Sequence, residues 1–202
     1  MNVPVPISYR FIQKAKPDIK IYIPVVNLRN ARVQNKINNE IVAVLNKILI
    51  ELGYFESSLV ELLSYFEIKT NERNILSLSL ITYSFTGGAH GMTIVKSLTF
   101  DTRTGESYTL ASLFKADSNY IQKLSDLVGE KIKKWETPLL DEFKGIRPNQ
   151  DFYLADHSIV LYFQLYEISP YVAGFPYFPI ALWGLQDIIK PEGPLDRLLP
   201  FT

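Results

Sequence analysis

Between Asp18 and Val26 three isoleucines, Ile19, Ile21 and Ile23, alternate with Lys20 and Tyr22. A period of two predicts a strand with one face in a core. Pro24 puts the end of that strand at an edge or a bulge, because it has no N–H for a ladder. The period then changes. Asn30 offers an N-cap, and Val33, Ile37, Ile41, Val44, Leu45, Ile48 and Leu52 follow at helical spacing, with Gly53 suited to the position past a helix end. The pattern predicts an amphipathic helix from about Ala31 to Leu52.

Two strand-like runs come next, Leu62 to Thr70 and Ile75 to Phe85, joined by the polar hairpin connection Asn71-Glu72-Arg73-Asn74. In the second run Leu76, Leu78 and Leu80 lie opposite Ser77 and Ser79, and the apolar set then moves to Ile81, Tyr83 and Phe85. Either a bulge near Leu80–Ile81 or burial of both faces accounts for the change. A further strand from Thr93 to Phe100 and a turn over Asp101–Gly105 complete an antiparallel meander.

The second half opens on a helix capped by Asp117 or Ser118, its stripe formed by Tyr120, Ile121, Leu124, Leu127, Val128, Ile132 and Trp135. Thr137-Pro138 predicts the start of a short second helix that stops at Lys144-Gly145. Ser158 to Tyr166 is apolar on both faces, as a central strand would be. Strands and helices are segregated, so the expected class is α+β. The sheet is expected to be mainly antiparallel, with one long amphipathic helix in the first part and one long plus one short helix in the second. A weak boundary divides residues 1–103 from 104–202, two α+β parts expected to pack as one compact unit.

Composition narrows this picture by exclusion. At 202 residues about 70% of the unfolded surface can be buried, so no disulfide or metal staple is needed. Lys+Arg 21 balance Asp+Glu 21, which removes the electrostatic argument for nucleic acid. There is no cysteine, hence no disulfide framework, zinc–thiolate site or Cys nucleophile. The longest strongly apolar stretch, Ile41 to Leu52, carries Asn46, Lys47 and Glu51 and is too short and polar to span a bilayer. No signal peptide is visible at the amino terminus, so the chain as written reads as leaderless.

Catalytic motifs are missing: no G-x-G-x-x-G, no P-loop, no H-E-x-x-H and no G-x-S-x-G. The two histidines, His90 and His157, have no metal-ligand spacing, and no metal or cofactor is expected. Asp101, Asp156 and Glu167 are the carboxylates that a glycoside chemistry would draw on, although no spacing selects them. Two segments stand out. Gly87-Gly88-Ala89-His90-Gly91 demands either positive φ or close packing; its N–H groups suit an anion nest with His90 as a further donor, or a tight crossing between strands. Phe152 to Trp183 holds 10 of the 26 aromatics. Within it Tyr166 to Pro179, with Glu167, Tyr171 and Phe175, reads as an aromatic, proline-punctuated loop. Such a loop serves either as a contact surface for a sugar or protein, or as a lid folded onto the core.

The string Tyr83-Ser84-Phe85-Thr86-Gly87-Gly88-Ala89-His90-Gly91, with Leu98-Thr99-Phe100-Asp101, Thr104-Gly105 and Leu110 through Leu113-Phe114, resembles a bacterial extracytoplasmic domain family. So do Phe152-Tyr153-Leu154 and Tyr162-Phe163-Gln164-Leu165-Tyr166-Glu167-Ile168-Ser169-Pro170-Tyr171-Val172-Ala173-Gly174. That family includes the outer domain of the anti-sigma-V factor, a lysozyme-sensing receptor, and the non-catalytic amino-terminal module of a peptidoglycan deacetylase. The resemblance runs from about Ile19 to Ile188 and implies a two-part α+β fold with a non-enzymatic binding or sensing role. Its signature positions are the Gly87–Gly91 turn and the Tyr166–Gly174 loop, carried over without catalysis; the expected ligand-binding residues are Gly87, Gly88, His90, Gly91, Tyr166, Glu167, Tyr171 and Phe175. The expected ligand is a cell-wall glycan or a protein such as lysozyme. Two alternatives stay open: a glycan hydrolase using Glu167 or Asp101 with His90, and a cytoplasmic structural protein, in keeping with the leaderless start.

Overall fold

The structure is a computed structural model that describes residues 3–199. It divides into two units, the first ending at Ser107 and the second beginning at Tyr108.

The first unit is a five-stranded sheet in the order β1-β2-β3-β4-β5 with one helix. Strand β1 spans Ile7–Lys14 and pairs antiparallel with β2, Asp18–Val26. Nothing in the hydrophobic pattern announces β1, because seven of its eight residues are exposed. The helix α1, Ala31–Glu51, carries the chain from β2 to β3, Glu61–Glu72, which lies parallel to β2 over Asp18–Ile21. It starts where Asn30 accepts hydrogen bonds from the N–H groups of Arg32 and Val33, and Gly53 follows its end at φ +74°. Its apolar stripe, Val33, Ile37, Ile41, Leu45 and Ile48, buries against Ile19, Ile21, Leu62, Leu76, Leu78 and Phe100.

Strands β3, β4 (Ile75–Phe85) and β5 (Met92–Asp101) form the expected antiparallel meander. Arg73 and Asn74 turn the first hairpin with φ +50° and +59°. The change of face in β4 comes from burial on both sides, since Ile75 to Leu80 are all buried; the bulge lies instead in β3, between Ile68 and Thr70. Buried serines need partners. Ser77 bonds Thr99 at 2.9 Å, Ser79 bonds Ser97 at 2.8 Å, and Ser64 bonds Thr82 at 2.8 Å, each pair directly opposed across neighbouring strands.

The second unit holds α2, Tyr120–Lys134, a three-stranded antiparallel sheet of β6 (Phe152–Ala155), β7 (Ser158–Tyr162) and β8 (Tyr177–Ala181), and the short helix α3, Pro194–Leu198. Buried Leu124, Val128 and Ile132 give α2 its inward stripe. Trp135, just past the helix, stacks on Phe178 of β8 with centroids 5.8 Å apart. Strand β7 is central, as its two-sided apolarity predicted.

The α+β class holds, with one long and one short helix in the second part, but several positions differ from expectation. The residue before α2 is Asn119; Ser118 instead bonds the Lys115 carbonyl at 2.6 Å, and Asp117 lies further out. The short helix is α3, and no helix forms between Thr137 and Gly145. The eight residues between Glu136 and Gly145 are bounded at both ends by positive φ, +51° and +109°, which no α-helix contains, and the Leu140 N–H is taken by the Ile168 carbonyl at 2.9 Å. Strand β7 stops at Tyr162 and not at Tyr166. The expected loop up to Pro179 gives way to β8 at Tyr177, where Pro179 sits on an edge strand opposite Val160.

Candidate functional site

The Gly-rich turn belongs to the first unit and links β4 to β5. Thr86 to His90 are exposed. Gly87 and Gly88 take φ +97° and +103°, a region that side chains rarely enter, although a Cβ at either would meet nothing within 4 Å. Gly91 has the other reason to be glycine. A Cβ there would lie 2.3 Å from the Tyr83 ring and 2.5 Å from the Ser84 carbonyl. The His90 Nδ1–H donates to the Gly91 carbonyl at 2.9 Å, which ties the imidazole to its own turn.

The second candidate segment follows β7 in the second unit. Tyr166 takes φ +64°, and the chain reverses so that Glu167 folds back. Its Oε2 accepts the Gln164 N–H at 2.7 Å, while Oε1 accepts from Gln150 at 3.2 Å and from Arg147 at 2.9 Å. Gln150, itself buried, also donates to the Tyr162 carbonyl at 2.7 Å, and the Gln164 side chain reaches Asp151 at 3.0 Å. Glu167 is therefore the anchor of the loop. Beyond it Tyr166 and Tyr171 lie with ring centroids 5.6 Å apart. A turn of 3-10 helix over Tyr171–Ala173 ends at Gly174, φ +70°, and lifts Val172 to 91% exposure.

Two surface clefts flank this loop. One of about 370 Å³ is lined by Phe143, Lys144, Arg147, Tyr166 and Glu167. The other, about 240 Å³, lies between Trp135, Pro138, Ala173, Pro176 and Tyr177. Phe175 lies 6.4 Å from Tyr177, ring to ring. The aromatic excess thus divides: Phe152, Tyr162, Phe163 and Phe178 are core, whereas Tyr166, Tyr177 and Trp183 are exposed. Arg147, Gln150 and Trp135 were not among the residues singled out from sequence. The first two lie in a stretch without periodicity, and Trp135 reads as one more position of a helical stripe.

The remaining carboxylates and the second histidine have local roles. Asp101, buried at the end of β5, accepts from the Arg103 and Thr104 N–H groups and pairs with the Arg103 side chain at 3.0 Å. Asp156 forms the β6–β7 turn at φ +48°. His157 donates through Nδ1 to the Leu198 carbonyl at 2.6 Å and so tethers α3. Asp101 lies in the first unit, and Asp156 and Glu167 lie in the second. Among the described residues no group of three His, Cys, Asp or Glu side chains is placed to hold a metal ion. No helix among the described residues is long and apolar enough to cross a membrane.

Two known families match, one within each unit. Residues 13–93 match the family described as Deacetylase PdaC, and residues 111–182 match the one described as Protein of unknown function (DUF3298). The expected resemblance holds. The chain is 28% identical over 197 residues to the anti-sigma-V factor RsiV of Bacillus subtilis, covering 89% of this chain and 68% of that one. It is 28% identical over 117 residues to the peptidoglycan-N-acetylmuramic acid deacetylase PdaC of the same organism. That match takes in 54% of this chain and a quarter of the deacetylase, 25%. DUF3298 proteins of known structure share the fold. One from Bacteroides fragilis superposes with a TM-score of 0.76 at 14% identity, over 98% of this chain and 99% of that one. One from Pseudomonas aeruginosa gives 0.71 at 16%, over 99% of each chain.

Proposed function

We propose that the chain is a non-catalytic binding or sensing module whose principal recognition surface is the Tyr166–Phe175 loop of the second unit. The observation that carries this reading is the state of Glu167. A general acid or base needs a proton to exchange with substrate, whereas this carboxylate accepts from Arg147, Gln150 and Gln164 and serves to shape a loop. What the loop then turns outward is apolar or aromatic: Val172, Ala173 and Tyr166. Rigid aromatics beside a clamped turn give contact area at low entropic cost. A protruding aliphatic side chain favours a protein such as lysozyme as ligand, and a cell-wall glycan is the second arm of the test. Likeness to RsiV, whose name places it in signalling, and to PdaC, whose name places it on peptidoglycan, supports both arms. The exposed Gly87–His90 turn is proposed as a further contact surface of the first unit.

The test is calorimetric titration of the protein with a lysozyme and, separately, with muropeptides. Binding that is weakened by Val172→Glu and Tyr166→Ala, with unchanged thermal stability, is the expected result. Absence of binding to both ligands sinks the proposal. Release of product from a muropeptide, lost in Glu167→Gln, would replace it with a hydrolase.

A further inference from the structure

An edge strand presents a row of unpaired N–H and C=O groups, and proteins blunt such edges with proline, bulges, cover or charged side chains. Strand β1 has only the last of these, Arg10 and Lys14, over its eight residues: its register against β2 is unbroken, no proline interrupts it, and among the described residues no strand pairs with its outer side. The direction of its free groups follows from one bond. The Asn27 N–H donates to the Pro6 carbonyl at 2.9 Å, in line with the register that pairs Ile7 with Val26. Ladder bonds in an antiparallel pair alternate. Ser8, Arg10, Ile12 and Lys14 therefore bond to β2, and the backbone groups of Ile7, Tyr9, Phe11 and Gln13 point to the free edge.

The side chains along this edge are both apolar and of one charge. Tyr9, Phe11 and Ile12 are 60%, 44% and 46% exposed. Arg10, Lys14 and Lys16 are the ionisable side chains besides Tyr9 between Val3 and Pro17, and no acid occurs there. Two copies of β1 paired antiparallel would gather these cations on one face of the joined sheet, directly opposed in the registers that set Arg10 against Arg10 or Lys14, and like charges so placed are destabilising. An acidic strand answers them.

We propose that β1 is a docking edge for an extended peptide segment carrying alternate acidic residues, added as a sixth strand of the first unit. Main-chain bonds to Tyr9, Phe11 and Gln13 supply affinity, and Arg10 and Lys14, on one face of the strand, supply sign selectivity. This surface is separate from the loop proposed above, and either proposal can fail without the other.

The experiment uses the full chain and a blocked eight-residue peptide alternating glutamate with valine. Its controls are the same peptide with lysine for glutamate, and the glutamate peptide N-methylated at alternate residues on one edge. The acidic peptide is expected to bind, more weakly as salt rises, and at least about tenfold tighter than either control. Gln13→Pro removes one outward N–H while keeping the β2 ladder, and is expected to weaken binding by a similar factor. N-methylation tests the same bond with the protein untouched, should Gln13→Pro not fold. Equal binding of the acidic and basic peptides, or binding indifferent to both N-methylation and Gln13→Pro, overturns the proposal. So does self-association that Gln13→Pro abolishes, which would make a second copy the occupant.

Discussion

The side-chain amide of Asn38, in the second turn of α1, closes both main-chain hydrogen bonds of Val26 at the end of β2. The Val26 N–H donates to Asn38 Oδ1 at 2.9 Å, and Asn38 Nδ2 donates to the Val26 carbonyl at 3.0 Å. Val26 needs this help. Its groups point away from β1, and pairing with β3 has ended five residues earlier, at Ile21. Asn71 does the same for Val5, with bonds of 2.9 and 2.8 Å. Asn38→Leu leaves a donor and an acceptor of a fully buried residue unpaired, so a loss of about 2–4 kcal/mol is expected. In urea the unfolding midpoint should fall with an unchanged slope. A midpoint within error of the parent would show that water replaces the amide.

The glycines of the β4–β5 turn separate by cause. Gly91→Ala drives a methyl into the Tyr83 ring and the Ser84 carbonyl, and the carbonyl cannot move without the strand. The expected cost is about 1–3 kcal/mol or more from overpacking. Gly88→Ala meets open space and pays only for its positive φ, about 1–2 kcal/mol. The double variant Gly91→Ala, Tyr83→Ala should recover only part of the loss, because the clash with Ser84 remains. Full recovery in thermal melts would assign the whole effect to the ring.

How far the sequence reveals the fold depends on whether an element has one wet face and one dry face. Helix α1 was legible end to end because Asn30, the Ile37–Ile41–Leu45 stripe and Gly53 all say the same thing. Strand β1 was not, because an edge strand with exposed residues on both sides has no period for a core to impose. The segment 138–144 looked helical from Pro138 and Gly145 alone, whereas its backbone is bonded to Ile168. Of the second candidate segment, composition found the aromatics, and Glu167 stood out both as one of three carboxylates and through the resemblance. The clamp around Glu167 was hidden, since Arg147, Gln150 and Gln164 meet it only through the turn at Tyr166.

That clamp makes Glu167 separable from its neighbours by mutation. Glu167→Ala removes the acceptor for the Gln164 N–H and the partner of Arg147, which is half-exposed, so the loss is expected at about 1–2 kcal/mol rather than that of a buried pair. Tyr166→Ala, at an exposed ring, should leave stability nearly unchanged. Chemical denaturation of both variants checks the order, and a reversed order would mean that the tyrosine pair, not the carboxylate, holds the loop.

A last prediction concerns acid. Lys123 on α2 donates to the Asp187 carboxylate, and this hydrogen bond holds the Asp187 pKa below its ordinary 3.8. A carboxyl depressed in the folded state adds stability that is complete above its unfolded pKa and is lost as pH falls through the folded value. The tether between α2 and the Asp187 segment should therefore be intact at neutral pH and should loosen only below the ordinary carboxylate range. Following the Asp187 side-chain carbon by NMR should place its midpoint under that of an unpaired aspartate, and Lys123→Met should raise it toward the ordinary value, with Lys115 and the Asp187 backbone N–H still favouring the carboxylate. High salt should move it the same way, since the pair is open to solvent. A midpoint at or above 3.8 in the parent protein would show that the pair does not persist in solution.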